Sequence, residues 1–292
     1  DRERTLAALK EADTRPATQA GRAFARAVYG NHPYGFEPVA ATLNAISVAD
    51  MRAFYRRHVA ACRAQVTLVG AIDRAQADRI VGQLVGAVVP HGCEALPAVP
   101  QVQPLTQAVN AQLPFTAAQA QVLMGQPGMA RNDPDFFPLF VGNYILGGGG
   151  FVSRLTSEVR EKRGLSYSVY SYFAAGMHAG AFTVGLQTRP DQAAQAVKVS
   201  RDVIARFVAE GPTEAELRAA KDNLIGGFAL RIDSNKKLLG NVANIAWNDL
   251  PLDYLDQWTK KVEALTVADV RTAMAKKLQP ERMVTVVVGG KP

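Results

Sequence analysis

The order of apolar patterns predicts an α+β protein of two tandem homologous domains, each with helices packed on a largely antiparallel sheet, the first domain truncated at its N-terminus. Three observations carry this expectation. In the longer second half, strand-like stretches come first, a run of amphipathic helices follows, and a strand closes the chain. A segment near the start recurs near the end. Ala45-Ile-Ser-Val-Ala-Asp50-Met-Arg52 is answered by Ala264-Leu-Thr-Val-Ala-Asp269-Val-Arg271 at an offset of 219, and the match runs without a gap through Arg63 and Arg282 to Gly70 and Gly289. Finally, 292 residues, 48% hydrophobic and 20% charged, suffice for one large or two ordinary domains and exclude disorder as the main state.

With a repeat unit about as long as the offset, residues 45–70 fall in its last quarter, so most of the first copy is expected upstream of residue 1. The boundaries expected are 1–88 for the C-terminal part of the first domain, 89–106 for a linker and 107–292 for the second domain. Pro90, Pro97, Pro100 and Pro104, with little periodicity around them, mark the linker.

Taken in order, Ala17–Tyr29 and Val48–His58 read as helices, Arg63–Gly70 as a strand and Arg74–Val85 as a helix. Ser47 and Thr266 stand as N-caps with Asp50 and Asp269 three residues on, the spacing of a capping box. Ala108–Phe115 and Ala120–Gln126 read as strands. A helix over Pro134–Leu146 ends at Gly147-Gly148-Gly149-Gly150, and a shorter one over Val152–Arg160 follows. Ser166–Ala174 and the stretch around Phe182, Val184 and Leu186 form a hairpin turning at Gly176. Helices are expected over Asp191–Glu210, Thr213–Ile232, Lys236–Trp247, Leu252–Val262 and Val267–Leu278, then a last strand over Met283–Val288.

Several function classes are disfavoured. The net charge of +7 is scattered, without the basic and aromatic interleaving of a nucleic-acid surface. No apolar run approaches the ~18 to 20 residues of a membrane span. Asp1-Arg2-Glu3-Arg4 carries no apolar signal core, so any targeting segment is expected to have been removed or never included. His32, His58, His91 and His178 never stand at i, i+4, so no helix presents paired imidazoles to zinc. His32, in a Pro/Gly turn, reads as a loop histidine satisfied by backbone. There is no Gly-x-Ser-x-Gly elbow. The four glycines lack the Lys-Ser/Thr pair of a phosphate loop and read better as a place of close backbone approach. Cys62 and Cys93 could be a pair or two free thiols.

The most informative stretch is Glu158-Val-Arg160-Glu-Lys-Arg163-Gly164-Leu-Ser-Tyr167-Ser-Val-Tyr170, preceded by the glycine-rich turn and a helix. Gly147–Tyr170 resembles, nearly residue for residue, the pitrilysin-type zinc peptidases, or inverzincins, and especially their second, inactive domain. That group includes bacterial zinc proteases and the subunits of mitochondrial processing peptidase. Tyr29-Gly-Asn-His32-Pro-Tyr34-Gly35 and the Val69-Gly70 strand end also look like the first domain of such proteins.

The resemblance implies a metalloendopeptidase site in which Arg160 and Tyr167 reach the scissile peptide and donate hydrogen bonds to its developing oxyanion. It further implies that Gly148, Gly149, Phe151 and Ser166 contact an extended peptide added to a sheet edge near Ser166–Leu186. The His-x-x-Glu-His motif is absent, so no metal ligand is expected in this chain and Zn2+ is expected on a missing upstream segment or on a partner. Where active members carry a Glu-Glu pair, this chain reads Ala7-Ala8, which favours a member that works with a zinc-bearing homologous subunit, or as a homodimer. The alternatives are a structural subunit without peptidase role and a self-sufficient zinc protease with its motif upstream. Paired bacterial members are often exported, which implies the periplasm and would suit a Cys62–Cys93 disulfide.

Overall fold

The structure, a computed structural model, describes residues 1–86, 88 and 95–289. The N-terminal part is helical: α1 (Arg2–Ala12), α2 (Pro16–Tyr29), α3 (Ala40–Ala45), α4 (Val48–His58) and α5 (Arg74–Gly86). The rest builds one five-stranded sheet from β1 (Val109–Leu113), β2 (Ala120–Met129), β3 (Val169–Phe173), β4 (Gly180–Thr188) and β5 (Val284–Val288), in the order β1-β5-β2-β4-β3. β1 pairs parallel with β5, and the other neighbours are antiparallel. β5 lies between β1 and β2, and all five of its residues are buried, as a continuous Val-rich run requires.

Alternation along the strands gives the sheet two apolar faces. Val122, Met124, Phe182, Val184 and Leu186 face the main core, built with α6 (Phe136–Asn143), α7 (Ala193–Glu210), α8 (Glu214–Gly226), α9 (Asn235–Trp247), α10 (Tyr254–Glu263) and α11 (Val267–Lys277). The opposite face, Ala181, Val284, Val286 and Val288, is covered by α2 through Ala20, Phe24 and Val28, an i, i+4, i+8 stripe. The sheet is therefore covered by helices on both faces. A helix from residues 1–88 closes the sheet of residues 107–289. Tyr29 fixes its end, its hydroxyl accepting from Ala181 N–H at 2.8 Å.

The repeat is visible in element bounds. α4 and α11 coincide at the offset of 219, as do the 3₁₀ turns Ala61–Arg63 and Pro280–Arg282, and both capping boxes form. The copies part at the strand. Arg63–Gly70, expected as a strand, forms none, whereas its counterpart becomes β5 because β1 and β2 hydrogen-bond both of its edges. Among the described residues nothing offers Val66–Gly70 a neighbouring strand, and Val66 is exposed.

Other departures are local. The helix expected over Thr213–Ile232 breaks at Gly226-Gly227 and resumes as the 3₁₀ turn Ala229–Arg231. Residues 95–106 carry no helix or strand and meet the N-terminal part where His32 Nε2 lies 2.9 Å from Pro100 O. The beginning of the expected linker, 89–94, and the Cys62–Cys93 pair, through Cys93, lie outside the described residues. No described helix is long and apolar enough to cross a membrane.

Candidate functional site

The site is assembled by the chain between α6 and β3. α6 does not stop at its last apolar residue but widens into a π-helical turn, Tyr144–Gly148, whose Gly147 lies against β3. A Cβ at Gly147 would stand 2.4 Å from Ser171 Oγ and 2.8 Å from Ser171 N, so only glycine allows this approach. Asn143, one turn earlier, donates to Ser171 O at 3.1 Å and accepts from Ser171 Oγ at 2.7 Å. β3 is one of the two outer strands of the sheet, and its backbone at Ser171 is thus already engaged.

Gly148 and Gly149 complete the turn, and Phe151 and Val152 follow at its tip, 70% and 79% exposed. Arg154 then anchors the segment to the helical layer, with Nε and Nη2 each donating to Glu216 at 2.7 Å and Nη2 also to Gly211 O. A second π-helical turn, Thr156–Glu161, carries Arg160 back over Phe151. Gly164, at φ +61°, reverses the chain so that Leu165 enters the core while Tyr167 stands 81% exposed.

The outcome is a cation between two rings. Arg160 Cζ lies 4.8 Å from the Phe151 centroid and 4.9 Å from the Tyr167 centroid. Ring faces accept no conventional N–H bond, and among the described residues the Arg160 side chain has no hydrogen bond or ion pair, so its donors stay free. Glu158, two residues before it, is taken: its carboxylate binds Lys162 and Arg163, both at 2.6 Å, and those hydrogen bonds lower its pKa.

Sequence reasoning brought together Arg160, Tyr167 and Phe151, which the structure clusters. Ser166 stands apart. It is buried, and its hydroxyl lies 2.7 Å from both Ser168 O and Gln187 O, so it serves the strand start rather than the surface. Asn143 and the Arg154–Glu216 pair were missed. The only signal was position, an Asn one turn before four glycines and an Arg just after them.

The Arg154–Glu216 anchor predicts a pH response. Burial works to raise the Glu216 pKa, but hydrogen bonds from Arg154 and from the Thr213 N–H and hydroxyl, with the charge of Arg154, outweigh it and hold the carboxyl at about 2. Because the folded value is depressed below the usual 4.5, this stabilisation is fully present above about pH 4.5 and is lost as pH falls toward about 2. Urea midpoints of the wild type should fall more steeply through that window than those of Glu216→Gln. Equal slopes would show that the pair contributes nothing.

Among the described residues no group of three or more His, Cys, Asp or Glu could hold a metal ion. Ala7 and Ala8 lie on α1 and offer no donor. His32 is buried, with Nδ1 accepting from Tyr34 N–H at 3.1 Å, which leaves the ring proton on Nε2 for Pro100 O. The described residues therefore do not fit a zinc centre among themselves.

Comparison with known proteins agrees with the fold. The family model for the peptidase M16 inactive domain matches residues 45–224. An uncharacterized zinc protease of Streptomyces coelicolor is 31% identical over 281 residues, 91% of this chain and 59% of that protein. The crystal structure of a peptidase M16 inactive domain from Pseudomonas fluorescens is 35% identical and superposes with a TM-score of 0.93, covering 100% of this chain and 70% of that one. A chain of complex III from Candida albicans shares the fold at 14% identity and a TM-score of 0.76, covering 98% of this chain and 70% of its own. The chain thus spans about three fifths of the Streptomyces relative. With 62% of its length matched by that family model, the chain belongs to the peptidase M16 inactive-domain family.

Proposed function

We propose that this chain supplies the substrate-holding part of a zinc-dependent peptide-hydrolysing site, with Arg160 and Tyr167 donating hydrogen bonds to a peptide carbonyl and the metal held outside residues 1–292. One observation carries the reading: an arginine near the surface whose donors are unengaged and whose direction is set by Phe151 and the exposed Tyr167. When a carbonyl carbon is attacked, charge gathers on its oxygen, and a guanidinium and a phenol already aimed at it stabilise that charge without reorganising. The zinc-protease names of the relatives support the reaction class. No step is assigned to a metal here, because the described residues provide no donor set for one.

The peptide is an extended segment lying across Tyr167–Ser168. It does not pair at Ser171, where Asn143 and Gly147 occupy the strand. The partner is a zinc-bearing unit of the same fold, in the same polypeptide or in another subunit. The likeness to a complex III chain favours a second reading, a structural subunit. A scaffold, however, has no use for an unpaired cation held between two rings at the surface.

Tyr167→Phe tests the reading, since it keeps the ring beside Arg160 and removes only the hydroxyl. In the assembled peptidase, reconstituted with its zinc-bearing unit, kcat should fall by about 10² with KM little changed. Unchanged kcat would remove Tyr167 from the reaction.

A further inference from the structure

The glycine-rich turn does more than carry Phe151 to Arg160. Between it and α8 lies a pocket of about 380 Å³, within the size range of sites for small ligands. Tyr144, Ile145 and Val152 line it from the side of the turn, and Ala215, Ala219 and Ala220 from the side of α8. The alanines keep it open. α8 enters the core through Leu217, Ala220 and Leu224, whereas Ala215 and Ala219 are exposed. Longer helix-forming side chains at those two positions would fill the pocket and bury apolar surface, so core packing does not require alanine there.

The polar groups of the pocket are sorted. The Glu216 carboxylate is spent, since both of its oxygens accept from Arg154 and one also accepts from the Thr213 N–H and hydroxyl. Its charge is therefore compensated. Asn223 is different. The Tyr144 ring lies so close to Gly149 that a Cβ there would stand 3.0 Å from its Cε1, and the Tyr144 hydroxyl donates to Asn223 Oδ1 at 2.8 Å. That bond fixes which way the amide faces and leaves the Nδ2 donors without an acceptor among the described residues. Apolar walls with one oriented donor match a ligand made of an apolar group beside a carbonyl, which is what one residue of a peptide offers.

We infer that this pocket is a second binding point for the peptide, taking one apolar side chain the size of leucine or phenylalanine, with the adjoining carbonyl on Asn223 Nδ2. The inference rests on the role proposed above for Arg160 and Tyr167. Val152 joins the two places, because it lines the pocket and directly follows Phe151, the ring against Arg160. A peptide held at both is restrained on either side of the turn, and the pocket sets which sequences are held.

N-acetyl-leucinamide is the probe, read by methyl NMR of the whole gene product. The methyls of Ile145, Val152 and Ala219 should shift with a Kd of roughly 2 mM, as a ligand of about twelve non-hydrogen atoms allows. Acetamide, which keeps the carbonyl and lacks the side chain, should leave them unmoved. Ala219→Trp should abolish the response, and Asn223→Leu should weaken binding about two- to tenfold. Both positions are exposed, so the fold should persist, and if a variant fails to fold the wild-type titration alone decides. Pocket methyls that stay silent at about ten times that Kd overturn the inference, whether the pocket is empty or filled by another part of the gene product. An equal response to acetamide overturns it too. Activity separates the inference from the reading beneath it. In the assembled peptidase, Ala219→Trp should raise KM for a leucine-bearing peptide by about tenfold or more and leave kcat in place. If Tyr167→Phe lowers kcat but Ala219→Trp leaves KM alone, the pocket is no substrate site and the role of Tyr167 stands. If the probe binds and Tyr167→Phe leaves kcat unchanged, the pocket stands as a site for apolar amides and the role of Tyr167 falls.

Discussion

Arg160→Ala is expected to lower kcat/KM of the assembled peptidase by about 10²–10³, mostly through kcat. The expected size follows from the side chain's surroundings. Its guanidinium is bonded to nothing among the described residues and stacks on Phe151 and Tyr167, so the variant forfeits two exposed cation–π contacts, together about 1–2 kcal/mol at most. Folding should therefore survive while catalysis does not, which separates a role in the reaction from a role in the core. Arg160→Lys sharpens the test. A lysine keeps the charge but not the planar fork that stacks between two rings, so it should recover only part of the loss. Steady-state cleavage of a quenched-fluorescent peptide by the three proteins reads all of this, and equal rates for Arg160→Ala and wild type would refute the assignment.

Why some of this could be read from the sequence, and some could not, follows from the range of the interactions involved. The capping boxes at Ser47 and Thr266 are local, and α4 begins and ends at the expected residues. A strand is not local. Val66–Gly70 and Thr285–Gly289 carry closely similar patterns, yet only the second meets strands on both sides. Arg160 and Tyr167 were singled out by a family resemblance, and the spacing of seven residues alone says nothing of a shared surface. Their meeting, and the inward turn of Ser166, depend on the π-helical turn at Thr156–Glu161 and on the strand register that sets Val169 opposite Leu186. The stripe Ala20, Phe24, Val28 announces that α2 is buried on one side. Which sheet it covers is a matter of tertiary symmetry, absent from any window of the sequence.

That last point has a measurable consequence. Phe24→Ala should destabilise the fold by about 3–5 kcal/mol, although Phe24 precedes the first strand it supports by some eighty residues. Its ring passes so near the sheet that a Cβ on Gly125 would stand 2.9 Å from Phe24 Cζ and 1.9 Å from Phe182 O. Gly125→Ala should therefore cost at least as much, because the carbonyl belongs to the neighbouring strand and cannot give way without parting β2 from β4. Combining the two changes relieves the contact with the ring and leaves the contact with the carbonyl. The double variant should thus be less unstable than the sum of the singles, yet no more stable than Phe24→Ala alone. Chemical denaturation gives these energies, and amide exchange over Val284–Val288 locates them, since β5 loses its cover when α2 detaches. Phe36, 68% exposed, is the control, and its alanine variant should stay within about 0.5 kcal/mol of wild type. If Phe24→Ala behaved like that control and β5 exchange were unmoved, α2 would be an appendage. The measured cost of removing one ring from α2 therefore decides whether the first eighty-odd residues are structurally separable from the sheet that positions Arg160 and Tyr167.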